Sequence, residues 1–202
     1  MHSKKGRSLK THSGQPWFAL TISLIAIAFW FTPQSRDGLF YDRDLIAQGQ
    51  WWRLWSGHLA HHSASHLWWN LVVFLPAAGW LERLQPTLAR FFLAVSPLII
   101  SGALWSLDPK LQFYAGLSGV TMGVLTLLTI LQLRNESGEP RQIWLVALIL
   151  IALKIAFEFR QPATALFAGL PTGIRNVPLA HLAGALGAAI FALIVRRRKR
   201  LV

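Results

Sequence analysis

Six apolar runs of similar length, separated by short connections that hold almost every charge, constrain this chain more than any other feature. They cover Pro16 to Thr32, His66 to Leu81, Thr87 to Leu107, Leu117 to Leu133, Ile143 to Phe159 and Val177 to Val195. Each approaches the ~20 residues that carry a helix across a bilayer core. In lipid every backbone N–H and C=O needs a partner inside the protein, so such runs are expected to be helices. The 202 residues are 53% hydrophobic with a formal charge of +12, which is too apolar for an ordinary soluble domain. The basic residues fall in clusters between apolar runs and not along one face, which argues for membrane anchoring and against nucleic acid as a partner. With no cysteine, disulfides and thiolate metal sites are excluded. The first run follows a basic "KKGR", but "WFTPQSRDG" after it has no small-residue cleavage site, so it is expected to stay as a span.

Lys and Arg placement sets the expected orientation. With both termini inside, the cytoplasmic side carries 13 of these residues and the outside 6, leaving Lys154 within the fifth run. The reading is therefore an all-α membrane protein of six helices. A basic N-terminal tail covers 1–15, the membrane domain 16–195 and a basic C-terminal tail 196–202. The longest connection, 33–65, is external, and Trp51, Trp52 and Trp55 are expected at headgroup level.

Polar residues inside the runs can be placed by depth at ~1.5 Å of rise per residue. Measured from Arg134, Arg196 and Arg83, Ser118 lies about 24 Å from the cytoplasmic boundary, His181 about 22 Å, Asn70 about 20 Å and His66 about 26 Å. Three helices thus bring a serine, a histidine and a His/Asn pair to one layer. A serine hydroxyl becomes a nucleophile when a neutral imidazole takes its proton, the role that Ser118 and His181 fit. His66 and Asn70, at i and i+4 on one helix face, and the Ser118 N–H would supply donors for the oxyanion. The eight acids all lie in loops or at span ends, which predicts a Ser-His dyad without a carboxylate. Gly119 and Gly123, facing Gly184 and Ala188, are expected to let two helices approach closely.

Each motif has a plainer reading. A serine between glycines fits helix packing, its hydroxyl bonded to its own i−4 carbonyl. The matched depth of four polar groups is what favours a site. His58, His61, His62 and His66, at i, i+3, i+4 and i+8, would share a helix face as a metal cluster, but no HExxH, Cys or nearby carboxylate supports zinc. Arg53 and the loop tryptophans read as scaffolding of the loop.

"GLSG" (Gly116 to Gly119), "HLWWN" (His66 to Asn70), "WR" (Trp52, Arg53) and "AHLAG" (Ala180 to Gly184) resemble, in order and spacing, the rhomboid family of intramembrane serine proteases. The resemblance runs from about Gln48 to the end of the sixth run. It implies a six-helix rhomboid-like bundle with Ser118 as nucleophile, His181 as base, and His66 and Asn70 as oxyanion-hole donors, without cofactor or metal. The short core and the region "LIAQGQWWRLWSGHLAHHSASHLWWNL" look most like the rhombosortase subgroup. That resemblance implies a bacterial inner-membrane protease whose site faces the periplasm. Its partners would be membrane-anchored substrates with a C-terminal transmembrane tail of Gly-Gly type. Many rhomboids carry Tyr four residues after the nucleophile, where this chain has Met122. A general rhomboid protease and a non-catalytic client-binding relative remain as alternatives; a transporter would be expected to place charges along a path across the bilayer.

Overall fold

The computed structural model describes residues 15–32, 38–161 and 177–198. Six long helices form over the six apolar runs: α1 (Trp17–Trp30), α4 (Ala64–Leu84), α5 (Pro86–Leu107), α6 (Ser118–Asn135), α7 (Glu139–Arg160) and α8 (Pro178–Arg198). Between α1 and α4 lie strand β1 (Tyr41–Asp42) and the short helices α2 (Arg43–Ala47) and α3 (Arg53–Ser56). β1 pairs antiparallel with β2 (Phe113–Tyr114), Tyr41 opposite Tyr114 and Asp42 opposite Phe113. This small ribbon ties the α1–α4 connection to the turn in front of α6. The expected tails at 1–15 and 196–202 fall outside the described residues, apart from Gln15 and the backbone at the end of α8.

α5 and α7 are long and apolar enough to cross a bilayer. The outside of the bundle is apolar, with Trp68, Trp69, Phe91, Leu150 and Ile190 exposed. Such a surface suits lipid and would be costly in water. α6 is the central helix, buried along most of its length, and its most extensive partner is α8. Glycine explains that closeness. A Cβ on Gly119 would stand 3.0 Å from Ala180 O, one on Gly123 2.9 Å from Gly184 O, and one on Gly184 would overlap Gly119 O outright. The two backbones therefore touch, as the small-residue spacing predicts. Farther along, Arg134 Nη1 donates to Ala192 O at 2.8 Å.

Polar groups staple the other elements. The N-cap of α1, Pro16, offers no side-chain acceptor. Glu82 from α4 takes that role, accepting from the N–H of Phe18 at 3.3 Å and of Ala19 at 3.1 Å while Arg90 Nε binds it at 2.7 Å. A carboxylate at a helix N-terminus satisfies orphan donors and the positive end of the dipole together. At the far end of α5, Arg43 donates to the carbonyls of Leu104, Trp105, Asp108 and Leu111 and lies 4.6 Å over the Trp105 ring. Arg53 is buried and donates to Phe40 O and Gln50 Oε1, so it scaffolds the loop. Trp51 and Trp52 are exposed, and Trp55 Nε1 donates to Ala94 O on α5.

Replacing Gly184 with Val forces α6 and α8 apart. We expect a loss of at least about 2 kcal/mol, at the upper part of the range for overpacking, read as a lower melting temperature in detergent. Gly138→Ala serves as a comparison: its added methyl meets no neighbouring atom, although its positive φ of 67° carries a smaller strain of its own.

Candidate active site

Ser118 is the first residue of α6. The first N–H groups of a helix have no intrahelical acceptor and carry the positive end of its dipole, so the Ser118 N–H is available to an anion. The turn in front of it is fixed from several sides. Gly116 N–H donates to Gly57 O at 3.0 Å, and the Tyr114 hydroxyl donates to Gly116 O at 3.0 Å. Leu117 N–H points at His61 Nε2, 3.5 Å away. Gly116 has φ +124°, and a Cβ there would stand 2.7 Å from His66 Cε1. Both the backbone conformation and the ring packed against it call for glycine.

The histidines before α4 do not share one helix face. His61 Nδ1–H donates to Leu59 O at 3.1 Å, which leaves its Nε2 as the acceptor for Leu117. Ser101 gives its hydroxyl proton to Leu54 O at 2.6 Å, so His58 Nε2–H is the donor in the 3.0 Å contact between His58 and Ser101. His62 stacks on His66 with ring centres 6.2 Å apart. Burial pushes His58 down to about 4 and His61 down to about 3, with neighbouring His66 adding to the effect at His61. Both are therefore neutral structural imidazoles. Burial likewise pushes the Tyr114 phenol up to about 12, so it stays a neutral donor beside the Ser118 hydroxyl and the Gly119 N–H. His61 carries no local signal of this role, because its partner Leu117 is 56 residues away. Tyr114 lies two residues from its acceptor, but no motif marks the contact.

His181 lies in the first turn of α8 and is 6% exposed. Its Nδ1–H donates to Glu158 Oε2 at 2.6 Å, and Glu158 Oε1 accepts from Lys154 Nζ. The expectation of a dyad without a carboxylate at this depth is thereby corrected. Glu158 is a span-end acid, but the layer expected to hold Ser118, His181, His66 and Asn70 itself lies near the span ends. It is 17 residues after Arg141, about 26 Å of helical rise, the same level as His66. With Nδ1 holding the proton toward Glu158, the lone pair sits on Nε2, the atom a serine proton would reach.

The four expected residues are only partly assembled. His66 packs on the Gly116 turn and is near enough to His181 for the two rings to interact electrostatically. Among the described residues its Nδ1 is buried without a partner. The backbone contact at Gly119, Ala180 and Gly184 sets the helix that begins with Ser118 against the one that carries His181. Among the described residues no hydrogen bond joins Ser118 to His181. Such bonds are often long without substrate and tighten when it binds. Asn70 is buried on the His66 face and donates one amide N–H to His66 O at 2.9 Å, leaving the other available.

Residues 48–198 match the protein family described as Rhomboid domain. The chain is also 30% identical over 166 residues to Rhomboid protease GluP of Bacillus subtilis (strain 168). The alignment covers 77% of this chain and 32% of that protein, so the chain spans about a third of the length of the curated relative it matches.

Two outcomes test this scaffold. Gly116→Ala should drive a methyl into the His66 ring and strain the turn, abolishing serine reactivity toward a fluorophosphonate probe while the helical signal in circular dichroism persists. The depressed histidines make a prediction for pH. The unfolded chain takes up protons near 6.5 that folded His58 and His61 refuse until about 4 and 3. Their contribution is fully present above ~6.5 and is lost as pH falls, by about 1.4 kcal/mol per pH unit for each histidine. Melting temperature should fall between pH 7 and 5, and His61→Asn should flatten that slope.

Proposed function

The chain belongs to the rhomboid family, and from that premise we propose that it is an intramembrane serine protease with Ser118 as nucleophile and His181 as general base. The observation that carries this reading is the placement of Ser118 at a helix N-terminus, packed backbone to backbone against the helix whose imidazole is held by Nδ1, which leaves the lone pair on Nε2. Ser118 Oγ attacks the substrate carbonyl carbon as its proton passes to His181 Nε2. The oxyanion is met by the Ser118 N–H, the His66 ring and the free Asn70 N–H. Collapse breaks the C–N bond, His181 returns its proton to the leaving amine, and water then attacks the acyl-enzyme by the same route in reverse.

In this reading six helices cross the bilayer, with both termini in the cytoplasm and the site opening toward the periplasm of a bacterial inner membrane. The substrate is a membrane-anchored helix cut near its outer end. A helical carbonyl is committed to its i+4 N–H, so the target must unwind locally. Glycine makes that cheap, at ~1 kcal/mol per residue relative to Ala. The rhombosortase resemblance extends the proposal to exported proteins with a C-terminal Gly-Gly, an apolar span and a basic tail.

Reconstitution with reporter substrates tests both levels. Ser118→Ala and His181→Ala should each abolish cleavage with expression intact, because halves of one unit are not additive. Asn70→Ala should cost ~10² to 10³, since other donors remain. Cleavage by Ser118→Ala would remove the serine assignment. Leu or Val in place of small residues at the outer boundary of the substrate helix should suppress cleavage more than changes at its centre. Cleavage only of N-terminally anchored reporters would favour a general rhomboid protease over the sorting role, and no cleavage or probe labelling of the unsubstituted chain would favour a client-binding protein.

A further inference from the structure

Glu158 is an unusual residue to find where it lies. On α7 the buried residues are Ile155 and Glu158, and most of the remaining helix is exposed and apolar. A helix of this kind needs only apolar side chains to seat itself, yet one of the two residues it buries is a carboxylate that is 2% exposed. Helix stability does not explain the choice. The carboxylate sits two residues from the C-terminus of α7, where the dipole disfavours a negative charge. Its intrahelical partner is Lys154, and Lys N-terminal to Glu is the weaker order for an i,i+4 pair. Desolvating a carboxylate and a cation together is seldom a net gain unless the remaining lone pairs are also satisfied. Here they are: Lys154 binds Oε1 and His181 Nδ1–H binds Oε2. The carboxylate has one oxygen for a cation that holds it in place, and the other for the imidazole.

We propose that Glu158, held by Lys154, is a positioning residue for His181, fixing the imidazole with its Nε2 lone pair toward Ser118 and stabilising the imidazolium formed when Ser118 gives up its proton. The inference rests on the protease reading above. Its chemistry is that of the third group in a serine triad: the carboxylate orients the ring and selects its tautomer without itself becoming protonated. The proton moves from Ser118 Oγ to His181 Nε2, and the Nδ1–H stays on His181 throughout. Because the carboxylate comes from α7 while Ser118 and His181 come from α6 and α8, the seating of α7 against the bundle becomes a condition for an aligned base.

The test uses the purified full chain in detergent, in its unsubstituted form and as Ser118→Ala, Glu158→Gln, Glu158→Ala, Glu158→Asp and Lys154→Met. Three quantities are measured: the rate of fluorophosphonate labelling at Ser118, the downfield proton resonance of a histidine Nδ1–H bound to a carboxylate, and the melting temperature. Glu158→Gln and Glu158→Ala should label at least about 10²-fold more slowly, lose the downfield resonance and keep their melting temperature within a few degrees. Glu158→Asp should recover part of the rate, and Lys154→Met should lie between Glu158→Gln and the unsubstituted chain. Labelling of Glu158→Gln at the unsubstituted rate would overturn the inference while leaving the protease reading intact. Absence of labelling in the unsubstituted chain would overturn the protease reading itself. If both Glu158→Gln and Glu158→Ala fail to fold, the resonance in the unsubstituted chain decides: its presence supports the inference, and its absence overturns it.

Discussion

The contact of α6 and α8 through backbone, at Gly119, Ala180 and Gly184, is the constraint on which the rest of the site depends. Apolar side chains gain little from meeting one another when lipid is the alternative solvent, so helices in a membrane are held by close van der Waals packing and a few polar bonds. Small residues here let backbone meet backbone along the line of contact. Ser118 directly precedes Gly119 and His181 directly follows Ala180, so the proposed nucleophile and base flank the point of closest approach. A spacing error of one methyl group would be felt at both, since packed interiors transmit strain instead of absorbing it.

The same economy governs the polar groups. Glu82 caps α1 from α4, Arg43 gathers four carbonyls around the end of α5, and His61 holds the Leu117 amide from the preceding loop. Each is a buried or half-buried group whose partner lies far away in sequence, and each fixes one element against another. Away from water, unpaired groups of this kind are expensive, which makes the arrangement specific as well as stable. The Glu158 pair with His181 follows that pattern and adds a chemical task to it.

The helices were legible because their cause is local: runs near bilayer length with charges between them. Among the described residues the six longer helices lie over the six expected runs, and the Gly119, Gly123 and Gly184 spacing agrees with the α6–α8 contact. The common depth of Ser118, His181, His66 and Asn70 is an expectation that comes from counting residues from arginine markers at constant helical rise. Glu158 was missed although the same count from Arg141 places it in that layer. Its position near the end of α7 marks it as a span-end acid, and the span end and the expected layer coincide. Tyr114 and His61 were beyond reach for a different reason. Their work is to hold a turn whose shape depends on Gly116 at positive φ and on strands paired across the chain, and nothing in the neighbouring residues encodes that.

The central claim is that α6 and α8 present an activated serine to an oxyanion pocket formed by α4. A structure of the chain after reaction with a fluorophosphonate tests it most directly. The account predicts phosphorus bonded to Ser118 Oγ, with the phosphoryl oxygen within hydrogen-bond distance of the Ser118 N–H and of His66 or Asn70, and His181 Nδ1 still bound to Glu158. An adduct whose oxygen faces away from α4, or a chain that carries no adduct at Ser118, would contradict it.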